Sequence, residues 1–340
     1  MAETYKAAAV LASPYMFDLN RTVEKCCSMV DEAAAKGARL IAFPETFLPL
    51  YPWWIWMAVN NVERGHLYKR LYEQSVELDG LAMQRLCQKA KEKNVFIVIG
   101  INEKDHGTVY NSQAFINEQG ELISCRRKLI PTGEERTLWG RGDGSDLVVH
   151  ETSLGRIGGL ICYENIMPLA RYTLYSKHEQ VHIANWPGNN LKSQPRDRTA
   201  VIKTTSRFAA IEGQMFVIAS SSCIGAEEVE FYKKLDPGLG AKLAVGGGVA
   251  AIYSPFGEVL ACIEDQEGIA YADIDLGQIP DAKHLIDTVG HYARPDVNRV
   301  LFDGGVRKMP VVLIHREAPA PAQDKAPEDD AAGSSAAGTP

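Results

Sequence analysis

Arg156-Ile157-Gly158-Gly159-Leu160-Ile161-Cys162-Tyr163-Glu164 runs as a strand into Asn165-Ile166-Met167-Pro168, where a helix is expected to begin. A cysteine at such a turn is lifted out of the sheet, and the N–H dipoles of the following helix favour its thiolate. Two further apolar runs end on ionisable residues. Leu40-Ile41-Ala42-Phe43-Pro44-Glu45 ends on an acid, and Glu121-Leu122-Ile123-Ser124-Cys125-Arg126-Arg127-Lys128 ends on an amine. An acid, an amine and a thiol at three strand termini suit a single catalytic cluster.

Other strand-like runs lie at 5–12, 95–103, 108–117, 146–151, 181–186, 215–222, 249–254, 258–263 and 269–274. Glu118-Gln119-Gly120, just before the Lys128 strand, reads as a hairpin turn. Helical periodicity runs from a cap at Asp18 or Asn20 to Ala35, closed by Gly37, and again at 81–93, 172–178 and 199–211. Strands alternate with helices early and pair as hairpins later. That order predicts an α/β fold of two mixed sheets packed together with helices outside. A domain is expected over 1–316. Residues 317–340 are mostly Ala, Pro, Gly, Ser and acid, too poor in apolar surface to offset ordering entropy, and read as a disordered tail.

Hydrophobic residues make up 46% and charged residues 23% of the 340, an ordinary globular balance. A net charge of −7 excludes the basic stripe that a nucleic-acid binder needs. No apolar run approaches the roughly 20 residues of a membrane span. The start Met1-Ala2-Glu3-Thr4-Tyr5-Lys6 lacks the character of a secretory signal, so a cytoplasmic location is expected. Seven cysteines without framework spacing read as free thiols, with Cys26, Cys27, Cys87, Cys125, Cys223 and Cys262 as packing residues.

Two motifs mislead. Gly140-Arg141-Gly142-Asp143-Gly144 has the glycines of a phosphate loop without its strand–loop–helix setting. His178-Glu179-Gln180-Val181-His182 is a literal H-E-x-x-H, which as a zinc site needs one continuous helix and a third ligand. A strand is expected to begin at Val181 and separate the two histidines.

Five segments together resemble the nitrilases of the carbon–nitrogen hydrolase superfamily. They are Ala42–Phe47 with Tyr51-Pro52-Trp53-Trp54; Arg127–Thr132 with Glu135-Arg136; Trp139–Gly144; Cys162-Tyr163-Glu164-Asn165; and Gly290–Val297. The resemblance implies an αββα sandwich, a triad of Glu45, Lys128 and Cys162, and a second, assisting glutamate at Glu135. It also implies self-association into dimers and spiral filaments. Tyr163 and Asn165 stand where many bacterial nitrilases carry Trp and His.

The residue types suit the chemistry. A thiol is mostly protonated at neutral pH, so Glu45 would serve as its base while Lys128 stabilises developing charge. A nitrile would become the acid and ammonia through a thioimidate and a thioester, with no metal or cofactor. Trp53, Trp54, Tyr163, Glu164, Trp186 and Pro187 are the expected substrate-binding residues, Glu164 as a hydrogen-bonding group and not as a base. The nearest alternative is an amidase or nitrile-to-amide hydratase of the same superfamily; readings from other classes are a zinc hydrolase on His178 and His182 and a catalytically silent assembly protein.

Overall fold

Strand β1 (Tyr5–Leu11) has Ala7, Ala9 and Leu11 on one face and Ala8 and Val10 on the other. All five are buried, so a layer must cover each side. The computed structural model describes residues 4–188 and 198–306. It supplies both layers.

In chain order the elements are β1, α1 (Leu19–Ala35), β2 (Ala38–Ala42), α2 (Asn61–Glu73), α3 (Leu81–Lys93), β3 (Phe96–Asp105), β4 (Thr108–Ile116) and β5 (Leu122–Arg127). Then follow β6 (Val149–Thr152), β7 (Gly155–Ile161), α4 (Pro168–Ser176), β8 (Val181–Trp186), α5 (Arg198–Gly213) and β9 (Phe216–Ser221). The last are α6 (Ala226–Leu235), α7 (Pro237–Gly240), β10 (Val249–Tyr253), β11 (Val259–Glu264), β12 (Gly268–Ile274) and α8 (Gln278–Leu285).

The strands form two six-stranded mixed sheets, ordered β12-β1-β2-β3-β4-β5 and β11-β10-β9-β8-β7-β6. Each has a parallel centre, β1-β2-β3 and β7-β8-β9, flanked by antiparallel strands. Between the sheets, Leu40, Phe96 and Val98 of the first meet Ile183, Ile218 and Ile252 of the second. Each such side chain contributes roughly 1.5–3 kcal/mol by leaving water, which makes this layer the main tie between the sheets. Helices α1 and α3 cover the outer face of the first sheet through Val23, Cys26, Val30, Met83, Leu86 and Ala90. Helices α4 and α5 cover the second through Tyr175, Ile202, Ala209 and Ala210. The αββα sandwich is therefore as expected.

Local chemistry sets the ends. Asp18 caps α1 by accepting from the Arg21 N–H, and Gly37 leaves the helix at φ +86°. Helix α4 starts at Pro168, four residues before the expected 172, because proline suits the first helical turn. It ends before His178, whose φ of +59° breaks the helix. The strand expected from 146 begins at Val149, because the Asp146 carboxylate is tied to the Arg127 and Asp143 N–H groups in a tight turn. Helices α2, α6 and α8 were not anticipated. Each buries few side chains, Leu67 and Leu71 alone in α2, so their apolar period is sparse. Cys262 is exposed and is not a packing residue; the other expected packing cysteines are buried or half-buried. The described residues fall within one compact unit ending at Lys308. The domain end at 316 and the tail at 317–340 lie outside them.

Candidate active site

Three loops converge where strands end. Glu45 lies three residues beyond β2, Lys128 follows β5 and Cys162 follows β7. Glu45 is held by backbone bonds from its N–H to the Trp186 carbonyl and from the Gly100 N–H to the Pro44 carbonyl. Gly100 is required there: a Cβ would come within 2.3 Å of the Pro44 carbonyl oxygen and 2.6 Å of Glu45 Cα.

Glu45 and Lys128 are fully buried, and Lys128 Nζ lies 2.8 Å from Glu45 Oε1 and 2.8 Å from Glu135 Oε2. Asn111 Nδ2 also donates to Glu45 Oε1, at 2.6 Å. Glu45 Oε2 is buried and has no hydrogen-bond partner among the described residues. Glu135 is the third residue of a short helical turn. Its Oε2 accepts from the Thr132 N–H at 2.7 Å, and its Oε1 accepts from the Tyr51 hydroxyl at 2.7 Å.

Cys162 is 4% exposed and sits at φ +54°, a backbone conformation disfavoured for any residue with a side chain. The groups acting on the thiol are Glu45, Lys128, Glu135 and the Tyr163 N–H. Burial and the two carboxylates push the Cys162 thiol well above its ordinary range, against Lys128 and the Tyr163 N–H. Its resting form is therefore the neutral thiol. Burial is also the main reason Glu45 is pushed up to about 7. The Glu135 charge adds to that, while the Lys128 ammonium and the Asn111 bond oppose it. Burial alone would lower Lys128, but Glu45, Glu135 and Cys162 outweigh it and hold the ammonium charged.

A narrow cleft opens beside Cys162, lined by Tyr163, Trp186, Pro187, Arg198, Val201 and Ile202. The Tyr163 and Trp186 rings meet edge to face at 6.1 Å. The Trp186 indole N–H is buried without a partner among the described residues.

Residues 6–284 match the family model for carbon–nitrogen hydrolases. The chain belongs to the carbon–nitrogen hydrolase family. It is 42% identical to an aliphatic nitrilase of Rhodococcus rhodochrous, over 88% of this chain and 83% of that one. It is 40% identical to a nitrilase of Bacillus sp. strain OxB-1, over 89% of each chain. Among solved structures, a carbon–nitrogen hydrolase of Helicobacter pylori G27 superposes with a TM-score of 0.70 at 21% identity, covering 86% of this chain and 97% of that one. The protein is thus a hydrolase acting on carbon–nitrogen bonds.

In this carbon–nitrogen hydrolase, Tyr163, Trp186 and Pro187 line the cleft beside Cys162, whereas Trp53, Trp54 and Glu164 are not among its lining residues. Glu164 takes a bidentate pair from Arg126, at 2.8 and 2.9 Å, and accepts the N–H groups of Leu129 and Ile161. Both oxygens are thereby engaged, and Glu164 fastens the Lys128 loop to the Cys162 loop. Burial opposes its ionisation, but Arg126 and those two N–H groups hold its carboxyl below the usual range. Trp54 is core: it stacks on Phe17 at 5.5 Å. Trp53 stands closer to the site, 4.7 Å from the Tyr51 ring and 5.9 Å from the Arg198 guanidinium.

The histidines of the H-E-x-x-H segment part as expected. His178 is exposed after α4, and His182 is buried in β8 with both ring nitrogens hydrogen-bonded to protein. A zinc site cannot form on that pair. Tyr51 and Asn111 were not singled out as site residues. The signal for Asn111 was a polar triplet, Asn111-Ser112-Gln113, in the middle of a buried strand.

Proposed function

We propose that the protein is a nitrilase that converts an organic nitrile and two waters to the carboxylic acid and ammonia. One observation carries the reading: Lys128 bridges Glu45 and Glu135, the charges of all three act on the Cys162 thiol, and Glu45 Oε2 remains open to receive a proton. Glu45 takes the thiol proton as sulfur attacks the nitrile carbon. Glu45 passes that proton to the nitrile nitrogen, giving the thioimidate and restoring its carboxylate. Water adds to that carbon, and Lys128 with the Tyr163 N–H stabilises the tetrahedral species. Ammonia leaves with a proton from Glu45, and a second water, activated by Glu45 or Glu135, cleaves the thioester.

The reading is tested by supplying a nitrile and its amide separately and identifying the products. Release of acid and ammonia from the nitrile supports it. Turnover of the amide alone would make the protein an amidase, and amide as the sole product from nitrile would make it a hydratase.

Glu45 must be ionised to accept the proton. Because its carboxyl is pushed up to about 7, kcat/KM is expected to fall about tenfold per pH unit below 7. Asn111→Leu removes a bond that favours the carboxylate, so this acid limb should move to higher pH. A pH–rate profile of both proteins checks the sign; an unmoved limb would assign it to another group.

Self-association is supported by an exposed apolar surface of Ile166, Leu169, Phe208 and Ile211, carried by α4, α5 and the turn before α4. Phe208→Glu is expected to shift the sedimentation coefficient towards that of a monomer. All seven cysteines are free, which fits a reducing, cytoplasmic location. No helix among the described residues is long and apolar enough to cross a membrane.

A further inference from the structure

We infer that His182, Asn165 and Glu179 form a positioning relay that holds the main chain of Cys162 in its left-handed conformation. The inference rests on Cys162 being the nucleophile. The second histidine and the glutamate of the H-E-x-x-H segment thus serve the thiol and not a metal.

Asn165 lies three residues beyond Cys162. Its Nδ2 donates to the Cys162 carbonyl at 2.9 Å and to the Leu160 carbonyl at 3.1 Å, gripping the backbone on both sides of the turn. Both amide hydrogens are spent on carbonyls, so Oδ1 can only accept. Reversing the amide would point Oδ1 at two carbonyl oxygens, which fixes its orientation. His182 Nε2 lies 2.8 Å from Oδ1 and must therefore carry a hydrogen. The other ring nitrogen, Nδ1, lies 2.9 Å from Glu179 Oε1. With Nε2 already a donor, that contact is a hydrogen bond only if one proton lies between the two groups. The pair is then either imidazolium with carboxylate or imidazole with carboxylic acid. Both states keep Nε2–H aimed at Asn165.

The surroundings are shaped for this relay. His182 and Glu179 are buried, and Gly158, paired with His182 across the β7–β8 ladder, admits the carboxyl. A Cβ on Gly158 would come within 2.3 Å of Glu179 Oε1. Arg171 donates to the Asn165 carbonyl at 2.8 Å and is itself held by Glu212 at 2.7 Å. Asn165 is thus fixed at its main chain and at both ends of its amide. A turn so held presents the sulfur and the Tyr163 N–H at one geometry through the reaction, so loosening it should act on the chemical step more than on binding.

The test compares Asn165→Asp, His182→Leu and His182→Gln with the parent enzyme. Asn165→Asp keeps the shape and the acceptor but loses both donations to carbonyls. His182→Leu removes the donor to Asn165, and His182→Gln returns one. The first two are expected to lower kcat by roughly 10- to 100-fold with KM changed less than about twofold. They should slow alkylation of Cys162 by iodoacetamide, followed by peptide mass spectrometry, by a similar factor. His182→Gln should recover most of both rates. Alkylation needs no nitrile, so it reads the relay even if the substrate assignment fails. Three results would overturn the inference. One is a His182→Leu protein with lowered Tm but parental kcat and alkylation rate. Another is a glutamine variant no better than leucine at equal Tm. The third, should the leucine variant not fold, is an Asn165→Asp protein with parental rates.

Discussion

Cys162→Ala is expected to lower nitrile turnover by about 10⁴-fold or more, the scale of losses when a nucleophile is removed from a covalent mechanism. Alanine fits the space of the thiol and suffers the same disfavoured φ of +54°, so the fold should persist and Tm should move little. The charges acting on the site remain, because Lys128 keeps both glutamates. The decisive measurement pairs ammonia release with intact-protein mass after rapid quench in the presence of nitrile. The parent should show the mass of an acylated cysteine and the variant none. Appreciable turnover by the variant would mean that another group attacks, and the assignment of Glu45 as its base would fall with it.

Lys128→Met is expected to damage both stability and rate. The ammonium sits between two buried carboxylates at 2.8 Å each, and removing it leaves them facing one another in a dry site. Breaking one partner out of a buried ion pair typically costs about 3–5 kcal/mol. The loss should depend on pH. Burial already raises Glu45 to about 7, and Lys128 is the largest influence opposing that rise. Without it the folded carboxyl moves further above its unfolded value. A group raised in the folded state contributes stability that is fully present below its unfolded pKa and lost as pH rises through the folded one. The deficit should therefore be larger at pH 8 than at pH 5, which urea unfolding at the two values will read. The rate should fall roughly 10²- to 10³-fold at pH 8, since a preorganised cation next to the reacting carbon is lost. A variant equally stable at both pH values would show that Lys128 does not govern Glu45.

The two sheets could be read from the chain because strand-like runs alternate with helical periodicity early and pair as hairpins later, and the resemblance supplied the αββα layering. The three site residues were legible for a similar reason: each interrupts or follows an apolar run, and strand ends are where loops can converge. What could not be read was direction. Glu164 and Trp54 lie beside site residues in sequence, yet one turns to Arg126 and the other to Phe17. Spacing alone does not reveal such turns, since short helical turns follow neither a period of two nor of 3.6. The partners Asn111 and Tyr51 reach the site from 66 and 84 residues away in sequence from Glu45 and Glu135. Sequence proximity carries no trace of those contacts. Helix α2 was missed because two buried leucines are too few to mark a face.

Glu45 and Lys128 leave the first sheet, whereas Cys162 and Trp186 leave the second. Neither layer holds a working set of groups alone. Turnover is thus a reporter of docking: a chain with only one layer built would lack the complete set of groups and could not hydrolyse its substrate.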